Sequence, residues 1–181
     1  LHKAIHSFPT RRSSDLPELI RRMKELVDAA DVITPNLTET CMLLGEECPP
    51  VMSVAQARSW LARLSDKPGI VVIKGVPLID DDGQKLSNVG FDKESGSFWR
   101  IDWDHIPVHY PGTGDIFTSV LTASLLKGES LPIALNRATT FTEIAVKTTY
   151  SYGTEPRLGV LFEDCLSWLM TNTVLCDYRK L

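Results

Sequence analysis

Two glycines and an aspartate between residues 112 and 115 form the most chemically informative stretch of the sequence. The segment Gly112-Thr113-Gly114-Asp115 joins a short apolar run to a run with helical spacing. Glycine lets the backbone turn sharply and lets an anion approach closely. The first N–H groups of a helix have no partners within it, and the helix dipole at that end favours negative charge. The segment therefore predicts an anion pocket at the start of a helix.

The aspartate in this pocket needs an explanation, because its carboxylate would repel a bound phosphate. Phosphoryl transfer supplies one: Asp115 would take the proton of an attacking hydroxyl group while nearby amides hold the transferred group. The alternative is that Asp115 only complements the helix N-terminus, which contributes about 0.3–1 kcal/mol. Spacing alone favours the alternative, because Gly-x-Gly-Asp is a short pattern and differs from the phosphate-binding pattern of P-loop proteins.

A second candidate site follows the apolar run at residues 31–34. Asn36 with Glu39 three positions later is a helix capping box, and physical reasoning alone favours that structural role. Both side chains would also project above the carboxyl end of a strand, where ligands bind in α/β sheets. A glutamate is a suitable oxygen ligand for Mg²⁺. The two roles are compatible, because the cap would position the carboxylate.

Lys74 comes directly after the β-branched run at residues 70–73. A lysine at the carboxyl end of a buried strand could bind a phosphate as a point charge. The alternative is a solvated lysine at a strand end, and the residues alone do not decide between the two.

The surroundings of these residues resemble a known family. The stretch Tyr-Pro-Gly-Thr-Gly-Asp-Ile-Phe at 110–117 resembles the signature of ribokinase-like kinases, and most closely that of bacterial pyridoxal or pyridoxamine kinases. The stretch Thr-Pro-Asn-Leu-Thr-Glu at 34–39 resembles the Thr-Pro-Asn-x-x-Glu segment of the same kinases. The resemblance extends from about residue 17 to near the C-terminus.

The resemblance implies a role for each candidate residue. It implies a catalytic group in which Asp115 is the base and the other residues form the anion hole, namely Gly112, Thr113, Gly114 and Asp115. It implies a group that contacts the phosphates or the Mg²⁺ of Mg-ATP, namely Asn36, Glu39 and Lys74, with Glu39 as the metal ligand. A monovalent cation is a further candidate cofactor.

The implied reaction transfers the γ-phosphoryl group of ATP to the 5′-hydroxymethyl group of pyridoxal, pyridoxine or pyridoxamine. Two alternatives remain at this point: a related kinase for a hydroxymethylpyrimidine or a sugar, and a nucleotide-binding module without catalysis. The family's substrate-binding residues lie in an N-terminal part that has no counterpart here. We therefore expect little or no activity from this chain alone, and a homodimer for the longer form.

The elements that must position these residues alternate along the chain. Helical spacing or capping signals predict helices at 17–27, 37–44, 53–64, 114–126, 131–149 and within 158–169. Apolar or alternating runs predict strands at 31–34, 69–73, 86–93, 97–101 and 106–110. This order predicts an α/β fold, a three-layer αβα sandwich around a mainly parallel sheet. The resemblance adds that the fold is ribokinase-like and lacks its N-terminal strands.

Composition limits the class of protein. The chain has 181 residues, 43% of them hydrophobic and 23% charged, with a net charge of −4. This mild charge gives no reason to expect nucleic acid or a membrane surface as a partner, and we expect a cytoplasmic protein. We interpret residues 1–16 as a non-native or disordered tail and residues 17–181 as the C-terminal part of one kinase domain. The four cysteines form no CxxC pair, so we expect free thiols.

Overall fold

The computed structural model describes residues 16–104, 106–171 and 175–181. Most of the predicted tail lies outside this range, and Leu16 already belongs to the first helix. The helices are α1 Leu16–Asp28, α2 Leu37–Leu44, α3 Val54–Leu64, α4 Thr113–Leu126, α5 Leu131–Ser151 and α6 Leu166–Leu169. The strands are β1 Val32–Ile33, β2 Met52–Ser53, β3 Ile70–Asp80, β4 Gly83–Asp92, β5 Ser97–Trp103 and β6 Arg179–Lys180.

The strands form one six-stranded sheet in the order β1-β3-β4-β5-β6, with β2 beside β3 further along its length. The sheet is mixed, and the prediction of a mainly parallel sheet is wrong. β1 and β2 run parallel to β3, whereas β3, β4, β5 and β6 pair antiparallel. The reason is the length of the connections: the turns after Asp80 and Asp92 are far too short for the crossover that parallel strands need.

The predicted strand at 106–110 is also absent. This segment joins no ladder among the described residues and lies between β5 and α4. It turns at Pro107, where the Val108 amide donates to the Ile106 carbonyl at 2.7 Å. Pro107 lies within it and Pro111 follows it, and proline has no N–H to donate to a sheet. Its sequence has the apolar character of a strand, but no strand of the described ranges lies beside it to complete the hydrogen bonds.

Helices cover both faces of the sheet, which confirms the three-layer αβα architecture. Along β3, Val71 and Ile73 pack on one side against α1, α2 and α3. Val72 packs on the opposite side against α4 and α5. All three side chains are fully buried, which explains why this stretch of the sequence reads as a continuous β-branched run. None of the helices in the described ranges is long and apolar enough to span a bilayer.

The expectation that all four cysteines are free is wrong for one pair. Cys41 and Cys48 form a disulfide, with their Cα atoms 5.6 Å apart. The turn that joins them explains the pairing, because α2 ends at Gly45 in the left-handed conformation, with φ 70°. This αL turn brings the chain back toward the helix. Cys165 and Cys176 remain free.

Candidate active site

The N-terminus of α4 has the geometry predicted for an anion pocket. Gly112 precedes the helix with φ 88°, a left-handed conformation that strongly favours glycine. Its carbonyl oxygen accepts hydrogen bonds from the amides of Asp115 and Ile116, at 3.1 and 3.0 Å. The Asp115 amide is therefore already bonded to Gly112 and is not available to an anion, so the anion hole has one donor fewer than the sequence suggested. No acceptor for the amides of Thr113 and Gly114 occurs among the described residues, so these two are the donors available to an anion.

The start of α2 is the capping box that the sequence predicts. Asn36 Oδ1 accepts the Glu39 amide, and Glu39 Oε2 accepts the Asn36 amide, both at 2.8 Å. Glu39 is 9% exposed. These two hydrogen bonds hold the Glu39 carboxylate at the end of β1. The cap uses only one of its two oxygens, Oε2. The structural role is thus present, and it leaves the carboxylate where a functional role is possible.

Lys74 lies within β3 rather than after it, because the strand continues to Asp80. Its amide donates to the Pro35 carbonyl at 2.9 Å, which ties it to the chain just beyond β1. Its ammonium reaches α4: a Cβ added at Gly114 would lie 3.3 Å from Lys74 Nζ. Burial lowers the pKa of this ammonium from its ordinary value of 10.5, and the Glu39 and Asp115 carboxylates oppose that shift.

A buried pair of hydroxyl groups connects the two motifs. Thr34 Oγ1 and Thr118 Oγ1 are 2.8 Å apart, and Thr118 Oγ1 also donates to the Gly114 carbonyl at 2.8 Å. Thr34 is fully buried and Thr118 is 3% exposed. The contact joins the end of β1 to the second turn of α4, and the bond to Gly114 extends it to the first turn. It therefore fixes the distance between Asn36 and the anion pocket.

All the predicted site residues line one cleft of 1100 Å³. These residues are Asn36, Glu39, Lys74, Gly112, Thr113, Gly114 and Asp115. The cleft continues between the segment at 106–111 and α5, where its lining includes Trp103, Thr139, Thr142, Glu143 and Val146. The geometry that the hypothesis requires is therefore present: the Asp115 carboxylate shares a cleft with Glu39 and Lys74.

Sequence reasoning missed several polar residues of this cleft, among them Asn88, Asp104, Thr139 and Glu143. Asn88 in β4 lines it and is 6% exposed. The sequence gives only a weak indication of this role: Ser87 and Asn88 are consecutive polar residues in a strand, so one of them lies on each face of the sheet. Nothing local identifies what Asn88 contacts, since its partners belong to β3 and α5.

The described residues contain no group of three or more acidic, histidine or cysteine side chains that could enclose a metal ion. Mg²⁺ seldom needs such a cage, because it usually binds through one or two carboxylates together with substrate phosphates and water. Glu39 and Asp115 supply carboxylates of this kind in the cleft. These carboxylates therefore fit a Mg²⁺ ion that binds together with a nucleotide.

Comparison with known proteins identifies the family of this chain. The profile of the phosphomethylpyrimidine kinase family matches residues 13–158. A hydroxymethylpyrimidine/phosphomethylpyrimidine kinase of Haemophilus influenzae is 30% identical over 130 residues, which cover 72% of this chain and 48% of that protein. The chain thus spans about half the length of the curated relatives it matches.

Solved structures show the same likeness. A protein from Bacteroides thetaiotaomicron, assigned as a phosphomethylpyrimidine kinase and crystallised with pyridoxal, is 39% identical with a TM-score of 0.83. That match covers 91% of this chain and 57% of the other. Pyridoxal kinase from Lactobacillus plantarum is 28% identical with a TM-score of 0.72, over 84% of this chain and 54% of the other. The fold is ribokinase-like, and the chain belongs to the phosphomethylpyrimidine kinase family.

Proposed function

We propose that the protein containing this chain transfers the γ-phosphoryl group of ATP to the hydroxymethyl group of a vitamin B6 compound. The observation that carries the proposal is the shared cleft. A carboxylate, Asp115, stands beside two amides without acceptors and faces the same space as Lys74 and Glu39. Phosphoryl transfer needs this combination of a base, anion donors and phosphate-binding charge.

The nucleotide phosphates would lie between α2 and α4. Lys74 supplies a positive charge that is shielded from water, and a contact between ions is stronger there than at the surface. The Asn36 side chain uses Oδ1 for its cap and keeps its NH₂ group available as a donor. Mg²⁺, when bound, would neutralise charge on the phosphate oxygens, with Glu39 contributing an oxygen ligand.

Asp115 would accept the proton of the substrate hydroxyl as the oxygen attacks the γ-phosphorus. The new oxygen–phosphorus bond forms while the bond between the γ-phosphorus and the β,γ-bridging oxygen breaks, and ADP leaves. The amides of Thr113 and Gly114 would donate to the transferred group, because these first-turn donors have no acceptor within the part of the chain that the structure describes.

The choice of substrate rests on the comparisons. The Bacteroides protein crystallised with pyridoxal favours a B6 compound. The curated relatives named as hydroxymethylpyrimidine kinases favour a hydroxymethylpyrimidine as the second candidate. Both candidates carry a hydroxymethyl group on a six-membered, nitrogen-containing aromatic ring, so the same base and anion hole serve either of them.

The test replaces the base and compares substrates. Asp115→Asn, in the longest natural form of the protein, is expected to lower kcat by about 10²- to 10⁴-fold and to leave ATP affinity nearly unchanged. Asp66→Asn, at an exposed aspartate remote from the cleft, is the matched control. Wild-type turnover by Asp115→Asn would remove Asp115 from the mechanism.

The substrate panel contains pyridoxal, pyridoxine, pyridoxamine and hydroxymethylpyrimidine. The proposal expects the highest kcat/KM with a B6 compound, and a higher value with hydroxymethylpyrimidine would select the second candidate. A thermal shift with Mg-ATP distinguishes nucleotide binding from catalysis. Binding without turnover of any substrate would indicate a non-catalytic nucleotide-binding protein.

A further inference from the structure

Strand β3 is irregular at the point where it passes the cleft. Ile73 pairs with Val89 and Val76 pairs with Ser87, so two residues on β3, Lys74 and Gly75, stand opposite the single residue between them on β4. This is a β-bulge, and Gly75 has the left-handed backbone expected of one, with φ 66°. Bulges change the direction of side chains and are frequent beside active sites.

The residue opposite the bulge is Asn88. Its Oδ1 accepts the Gly75 amide at 3.0 Å, which replaces the ladder bond that the bulge removes. Its NH₂ group donates to Thr139 Oγ1 at 3.0 Å, and that hydroxyl donates to the Leu135 carbonyl at 2.8 Å. Both ends of the side chain are therefore hydrogen-bonded, and at 6% exposure no bulk water can take over either role.

The bulge holds Lys74 from two sides. The Lys74 amide donates to Pro35 on the β1 side, while the next amide, that of Gly75, donates to Asn88 on the β4 side. With successive amides fixed in opposite directions, the backbone of Lys74 has little freedom to rotate. Its side chain leaves this fixed point toward α4 and brings Nζ to the first turn, beside Gly114.

We propose that Asn88 is a positioning residue for Lys74. Its side chain fixes the bulge at residues 74 and 75 and thereby holds the Lys74 ammonium at the phosphate end of the cleft. The inference rests on the proposed function, because it assigns the ammonium to nucleotide phosphates. It adds a residue whose side chain is engaged by protein groups, the Gly75 amide and Thr139 Oγ1, and which acts on Lys74 through the backbone of β3.

The test compares the affinities for ATP and adenosine, since only ATP has phosphates. Lys74→Met is expected to weaken ATP binding about 10- to 100-fold, the range for one charged hydrogen bond. Asn88→Ala is expected to weaken it about tenfold and to leave adenosine affinity unchanged. In the Lys74→Met background, Asn88→Ala should cause no further loss. Ser87→Ala is the matched control, because it removes a side-chain hydrogen bond of β4 that goes to Asp102 on β5 and not to Lys74 or Gly75.

Amide hydrogen exchange measures the stability of the bulge in the absence of any ligand. Exchange of the Gly75 amide should become about tenfold faster in Asn88→Ala, and Asn88→Asp should restore protection because it keeps the acceptor oxygen. If Asn88→Ala does not fold, Gly75→Ala perturbs the same bulge through its positive φ, with no atom within 4 Å of the added Cβ. It too should weaken ATP more than adenosine.

The outcomes separate the inference from the proposed function. Should Lys74→Met weaken ATP binding while Asn88→Ala and Gly75→Ala leave the ratio of ATP to adenosine affinity unchanged, Asn88 does not position Lys74. Equal losses of ATP and adenosine affinity in Asn88→Ala would also overturn the inference. Should Lys74→Met bind ATP like the wild type, the phosphate role of Lys74 in the proposed function fails, and the inference falls with it.

Discussion

Replacing Gly114 by alanine should make the protein more stable and a poorer kinase. Gly114 lies in the first turn of α4 and has no positive φ, so an alanine fits its backbone. Glycine within a helix costs about 0.5–1 kcal/mol relative to alanine. For a chain of this length, each kcal/mol raises Tm by about 2–4 °C. The expected change in the absence of ligand is therefore a rise in Tm of about 1–4 °C.

The functional loss follows from a single contact. The added Cβ would lie 3.3 Å from Lys74 Nζ, closer than ordinary van der Waals contact. The lysine tip is flexible, so it would move by a few tenths of an ångström rather than unfold the helix. That movement displaces the ammonium from the anion pocket, and the methyl group restricts access to the Thr113 and Gly114 amides. Loss of about half of one charged hydrogen bond weakens ATP binding about 3- to 12-fold.

Two measurements on Gly114→Ala test these predictions. Thermal unfolding without ligand tests the gain in stability, and calorimetric titration with Mg-ATP tests the loss of ATP affinity. Ser119→Ala is the matched control, because Ser119 is exposed on the same helix and outside the nucleotide cleft. It should gain some helix stability and keep wild-type ATP affinity. Wild-type ATP affinity in Gly114→Ala would mean that no phosphate approaches this turn, and the anion-hole argument would be refuted.

Three further predictions concern groups around the cleft. Burial lowers the Lys74 pKa, so between that lowered value and 10.5 the unfolded chain binds more protons than the folded one. The free energy of unfolding, measured with urea, should therefore rise with pH across this window in the wild type and change less in Lys74→Met. Thr118→Val removes a buried hydrogen-bond partner of Thr34 and should lower the free energy of unfolding in urea by about 1–3 kcal/mol. ATP affinity should fall as well, because the start of α4 loses its hydrogen bond from Thr118. Reduction of the Cys41–Cys48 disulfide, which links positions 7 residues apart, should lower the free energy of unfolding by about 2.4 kcal/mol through loop-closure entropy. Equal urea midpoints with and without reductant would contradict this prediction. Cys176→Ser, at a free cysteine, is the control and should leave the midpoint unchanged.

The parts of the site that could be predicted from sequence depend on local signals. The capping box of α2 needs only two residues three positions apart, and both are in place. The anion pocket at α4 needs only the glycines that allow the turn and the helix that follows them. These signals hold because the interactions that they describe form within four or five residues of chain.

The parts that could not be predicted depend on contacts between distant segments. The run at 106–110 has the composition of a strand, but a strand needs a neighbour, and no composition rule reports one. Asn88 acts through the register that places it opposite Gly75, which lies 13 positions earlier. The disulfide of Cys41 and Cys48 depends on the left-handed turn at Gly45 as well as on the spacing of the thiols.

The charge of the cleft gives an independent reason to expect a metal-dependent reaction. Its described lining carries the carboxylates of Glu39, Asp104, Asp115 and Glu143 and the ammonium of Lys74. Lys147 forms ion pairs with both Asp104 and Glu143, so the excess negative charge lies at Glu39 and Asp115, which Lys74 balances only in part. A triphosphate cannot bind well in a negative cleft unless a cation accompanies it, because like charges in a partly buried site repel strongly. We therefore expect ATP affinity to fall by at least about tenfold when EDTA replaces Mg²⁺. In Glu39→Gln, which removes one of these carboxylates, the benefit of Mg²⁺ should shrink. Equal ATP affinity with and without Mg²⁺ would show that the phosphates bind elsewhere.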